Sequence, residues 1–71
     1  MSPDKLAYMA NQIGRFFASQ KPDTAVAGIE DHILKFWDPR MRRGLLDHLD
    51  QVTLDPLVEQ AAQRLKDRQP A

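Results

Sequence analysis

The sequence predicts an all-α fold, a small compact bundle of about four short amphipathic helices in a single domain. Three observations carry this. Apolar residues recur every three or four positions in four separate stretches, a proline stands near the start of each stretch, and no segment alternates as a strand would. A chain of 71 residues buries only roughly 60% of its unfolded surface, so its net stability is modest, on the order of a few kcal/mol.

The first helix is expected near residues 3–19. Leu6, Met9, Ala10, Ile13, Phe16 and Phe17 draw one stripe along it. Ser2 suits the N-cap, Pro3 the first helical position, and Asp4 the positive end of the helix dipole. Pro22 follows its end. The second helix, near 23–37, carries Val26, Ile29, Ile33, Phe36 and Trp37, with Leu34 off the stripe and apolar on a second side. Asp38-Pro39 ends it, because a residue before proline leaves the α region. The same dipeptide can cap and begin a third helix near 39–50, whose stripe is Met41, Leu45 and Leu49 with Leu46 beside it. Asp55-Pro56 repeats the device for a fourth helix near 55–67, with Leu57, Val58, Ala61, Ala62 and Leu65 as its apolar side. Arg64, Lys66 and Arg68 fall at its C-terminal end, where cations suit the dipole. Residues 68–71 are expected to fray.

Gly14, Gly28 and Gly44 fall inside predicted helices and off the stripes. Each costs roughly 1 kcal/mol against alanine. Either the helices tolerate them, or another chain approaches the backbone there.

Composition excludes several classes of function. There is no cysteine, so disulfides, thiolate zinc sites and iron–sulfur ligation by this chain are impossible. Ten basic and ten acidic side chains cancel, which removes any general attraction to nucleic acid or anionic lipid. No apolar run approaches the ~20 residues of a membrane span, and the N-terminus lacks signal-peptide regions. A cytoplasmic location is expected. His32 and His48 lie on different helices, each beside an Asp that points about 100° away, so no metal site is expected. Ser2 and Ser19 have no histidine fixed nearby, and so small a domain leaves little room for a ligand pocket. No catalytic residue is assigned.

The stretch KFWDPRMRRG (35–44) remains. Phe36 lies closer to the packed side of its helix, while Trp37 at the helix end should be half exposed. Arg43 can pair with Asp47 at i,i+4. Arg42 falls on the border of the third stripe, and Arg40 lies in the first turn beside free backbone N–H groups. Arginine near a helix N-terminus is unfavourable in isolation, which points to negative charge from outside. Trp and Arg are also enriched in interface hot spots. Trp37, Asp38, Pro39, Arg40, Met41, Arg42 and Arg43 are therefore the candidate partner-binding residues. Arg40, Arg42 and Arg43 double as a possible anion site for a phosphate-bearing ligand, such as a guanine nucleotide or the nucleotide of a molybdenum cofactor. A helix-turn-helix nucleic-acid binder is a further alternative, weakened by zero net charge and by Asp47 and Asp50 on the same helix.

MANQIGRFFAS (9–19), IEDHILKFWDPRMRRGLLDHL (29–49) and LDPL (54–57) resemble the delta subunit of NAD-dependent, molybdenum-containing formate dehydrogenase, over about residues 5–65. QKPDTA and DQVT depart from the pattern and fall in linkers. The resemblance implies a non-catalytic accessory subunit of a cytoplasmic complex, aiding assembly, maturation or stability of the large catalytic subunit. It implies a complex carrying bis-molybdopterin guanine dinucleotide, iron–sulfur clusters, FMN and NAD, none of them bound by this chain alone. The implied partner is the catalytic subunit, with a maturation chaperone as a further one and self-association when isolated.

Overall fold

A computed structural model describes residues 1–68. Four α-helices follow one another, α1 (Pro3–Phe17), α2 (Pro22–Phe36), α3 (Pro39–Leu46) and α4 (Pro56–Asp67), with a 3-10 turn at Leu49–Gln51 between the last two. There is no strand among the described residues. No helix among them is long and apolar enough to cross a membrane.

Every helix opens on a proline. The ring presets the helical φ, and the missing N–H is one the first turn could not have used. Two of the expected caps form: Lys5 N–H donates to Ser2 Oγ (3.2 Å) and Met41 N–H to Asp38 Oδ1 (2.9 Å). Asp55 makes no side-chain cap. Instead Asn11 of α1 ties down the start of α4, its Oδ1 accepting from Asp55 N–H (2.9 Å) and its Nδ2 donating to Thr53 O (3.2 Å).

The helix ends depart from expectation. α1 stops at Phe17 and α3 at Leu46, not near 19 and 50. At α3 the reason is local. The His48 ring bonds Gly44 O (2.9 Å), the carbonyl that His48's own N–H would use in a longer helix. That N–H turns to Leu45 O (3.0 Å), and the chain tightens into the 3-10 turn. Of the expected tail 68–71, Arg68 is held by an ion pair, and 69–71 lie outside the described residues.

The core is built from Leu6, Ala7 and Ala10 of α1, Val26, Ile29 and Ile33 of α2, Leu45 and Leu46 of α3, and Val58, Ala61, Ala62 and Leu65 of α4. α2 packs against both α1 and α4, and α3 leans on the same two helices. The glycines serve this packing within the chain. A Cβ at Gly14 would collide with Val58 Cγ2 of α4, one at Gly28 would lie 2.5 Å from Phe17 Cε1, and one at Gly44 2.7 Å from Leu6 Cδ1.

Phe36 and Trp37 exchange the places the helical wheel assigns them. Phe36 is 71% exposed and Trp37 only 5%. The helix ends at Phe36, and Trp37 takes extended backbone angles (φ −92°, ψ 134°). That breaks the 100° progression on which the wheel rests and turns the indole back into the core.

One charged side chain is buried among the described residues. Glu30 is 5% exposed and lies beside Ile29 on α2. Arg64 Nε (3.1 Å) and Arg68 Nη2 (2.8 Å) of α4 reach one carboxylate oxygen each. The two cations read as dipole partners of α4 thus also fasten α4 to α2.

Candidate functional site: an arginine-walled groove

The C-terminal end of α2, the whole of α3 and the last turns of α4 enclose an open groove of about 400 Å3. Leu34, Leu46, Leu65 and Pro39 form its apolar part, and Arg42, Arg43 and Arg68 its polar part. The expectation of little room for a pocket is corrected by this groove, which is a surface hollow between α2, α3 and α4 and not a cavity in the core.

The three guanidiniums have different duties. Arg42 Nη1 donates to Leu34 O (3.3 Å) and to Trp37 O. These carbonyls belong to the α2 terminus, where backbone acceptors lack helical partners and the dipole favours a cation. Arg42 is thereby a clamp between α3 and α2. Arg68 is engaged with Glu30. Arg43 is exposed, and its expected pair with Asp47 does not form among the described residues; Asp47 serves as C-cap, its N–H donating to Arg43 O (3.0 Å).

Of the seven residues read from the sequence as partner-binding, the groove gathers Pro39, Arg42 and Arg43. Trp37 belongs to the core, Met41 is half-buried against it, and Asp38 caps α3. Arg40 is exposed but does not line the groove. The anion site expected at the start of α3 meets an obstacle. Pro39 has no N–H, Met41 N–H is bonded to the Asp38 carboxylate, and Arg42 N–H to Asp38 O. An anion of the chain itself already occupies the place where a phosphate would sit. The nucleic-acid reading weakens too, because Arg42 is turned back onto α2.

Sequence reasoning missed Arg68, Leu34, Leu46 and Leu65 as site residues. A signal for Arg68 was present. Glu30 is the one acid flanked by Ile29 and Ile33 on an apolar stripe, and Arg64 and Arg68 stand four apart on another helix. An acid in such a place calls for a buried counter-charge.

A second groove, of about 360 Å3, lies on the α1 side of α2. Met9, Gln12, Ile13, Phe16, Phe17, His32 and Trp37 line it. Phe16 meets Phe17 edge to face at 5.2 Å, and Phe36 packs its ring on His32 at 4.7 Å.

No group of three or more His, Cys, Asp or Glu side chains among the described residues is placed to hold a metal ion. An iron–sulfur cluster does not fit this chain, which has no thiolate to offer.

Residues 5–62 match the family model described as NADH-dependent formate dehydrogenase delta subunit FdsD. The chain matches no curated protein and no solved structure significantly. The matched span takes in α2 and α3 entire, with most of α1 and half of α4, and includes the arginines of α3. The chain belongs to the FdsD family of formate dehydrogenase delta subunits.

Proposed function

We propose that this delta subunit is a non-catalytic accessory protein of a cytoplasmic, NAD-dependent formate dehydrogenase. It binds the molybdenum-containing catalytic subunit and aids its assembly, maturation or stability. The family match over residues 5–62 is the observation that carries this reading. The chemistry of the chain supports it. Several of its polar groups serve the fold itself: Glu30 ties α2 to α4, Asp38 caps α3, His48 bonds the end of α3 and Asn11 holds the start of α4. The bis-molybdopterin guanine dinucleotide, iron–sulfur clusters, FMN and NAD of such a complex belong, in this reading, to the other subunits.

The test is co-purification. Tagged delta subunit should retain the catalytic subunit, and catalytic subunit produced without it should contain less molybdenum and oxidise formate more slowly. Formate oxidation by the isolated chain, or failure to associate with the catalytic subunit at any stage of its maturation, would overturn the proposal.

A further inference from the structure

Resting on the accessory-subunit reading, we propose that the α2–α3–α4 groove is where the catalytic subunit docks, and that the docking element is an acidic segment bearing an apolar side chain. Its carboxylate meets Arg43 and Arg68, and its apolar side chain covers Leu34, Leu46 and Leu65.

Charge complementarity carries the assignment. The chain as a whole is neutral, with ten basic and ten acidic side chains. The groove is not. Three guanidiniums line it and, among the described residues, no carboxylate does. Arg68 is engaged with Glu30, which it shares with Arg64. Arg42 is held by the Leu34 and Trp37 carbonyls, and Arg43 has no ion-pair partner among the described residues. A planar guanidinium at the side of an open groove is suited to a bidentate carboxylate.

The apolar floor decides what kind of anion. A phosphate ligand would gain nothing from three leucines, and the α3 terminus that could have offered it backbone N–H groups is filled by Asp38. Nucleic acid needs a basic track longer than one groove, and outside this groove the chain has seven basic side chains against ten acidic ones. An acidic peptide segment with a leucine-like anchor satisfies both halves of the groove.

Binding of the full chain to catalytic subunit prepared without it, measured at low and at physiological ionic strength, tests this. Wild-type affinity should fall as salt rises. Arg43→Glu should weaken binding at least about tenfold and remove most of that salt dependence. Arg40→Glu makes the same charge change on the same helix outside the groove, and should stay within about threefold of wild type. Both variants should keep wild-type helical circular dichroism, since both side chains are exposed. An acid-to-arginine change in the partner segment should restore binding to Arg43→Glu.

Wild-type affinity in Arg43→Glu, or equal losses in the two variants, overturns the groove while leaving the accessory reading in place. Absence of wild-type binding overturns both. Competition by GTP that Arg43→Glu abolishes would overturn the peptide assignment in favour of a phosphate ligand.

Discussion

Two grooves share α2 as a wall, and they differ in kind. The one toward α1 is ringed by Phe16, Phe17, His32 and Trp37, with no Lys, Arg, Asp or Glu among the described residues that line it. The one toward α3 and α4 sets three arginines beside leucines. Exposed rings such as Phe16, at 77%, offer apolar area to any neighbour and do not specify its sign of charge. Arginines without a matching carboxylate do. Apolar exposure shows that a surface can be covered; unbalanced charge says by what.

The strongest way to break the comparison is at the junction Phe36-Trp37, where the apolar groove borrows from the core. Trp37 lines the apolar groove with one side and fills the core with the other. Trp37→Ala should cost about 3–5 kcal/mol in urea denaturation, comparable with the whole stability of a domain this size. Phe36→Ala should change stability by no more than about 0.5 kcal/mol, because its ring is already in solvent. Equal costs for the two would mean that Trp37 is not the core residue its burial makes it.

The next effect lies under the charged groove. Replacing both Arg64 and Arg68 by alanine leaves the Glu30 carboxylate buried without a counter-charge. Both guanidiniums are more than half exposed, so solvent screens the pair and the loss is about 2 kcal/mol, below that of a fully buried pair. Glu30→Gln should cost less, since it removes the buried charge and leaves two arginines that water can solvate. Chemical denaturation of the two variants side by side gives the order, and a larger loss for Glu30→Gln would reverse the argument.

How much of this was legible beforehand follows from what each feature depends on. Helical stripes and the four helix-opening prolines are local, and α1, α2, α3 and α4 could be placed from them. The end of α3 could not, because it turns on His48 reaching Gly44 O. Trp37 was misplaced because wheel arithmetic continues past the end of a helix, whereas the backbone does not. The arginines of α3 were visible as a cluster. Their separation into a clamp (Arg42), a groove residue (Arg43) and a bystander (Arg40) depends on where α2 ends and where α4 passes. Arg68 was assigned to a fraying tail, and only the packing of α4 on α2 brings it to Glu30.

Within the charged groove, Arg42 and Arg43 should separate by readout. Arg42→Ala removes the donor to Leu34 O and Trp37 O, and a loss of about 1–2 kcal/mol is expected for bonds from a charged group to half-buried carbonyls. Arg43→Ala should leave stability within about 0.5 kcal/mol, whatever it does to partner binding. Thermal unfolding of both distinguishes a groove built from one structural and one free arginine from a groove of two equivalent surface charges.

The smallest expected effect is at Gly28, and it asks how rigid the apolar groove is. An alanine Cβ there would lie 2.5 Å from Phe17 Cε1, so the ring must move. Phe17 is the last residue of α1 and only half-buried, so its ring can swing outward at little cost. The gain in helix propensity on leaving glycine in the interior of α2, roughly 1 kcal/mol, should then nearly cancel the disturbance. At Gly14 the obstruction is different. Val58 is fully buried and β-branched, and in a helix its side chain has essentially one rotamer. Gly14→Ala should therefore be clearly destabilising, while Gly28→Ala should stay within about 0.5 kcal/mol of wild type. If Gly28→Ala is as harmful as Gly14→Ala, the Phe17 wall is as fixed as the core, and the apolar groove is a preformed hollow. If it is neutral, that wall is adjustable, and the two grooves differ in stiffness as well as in charge.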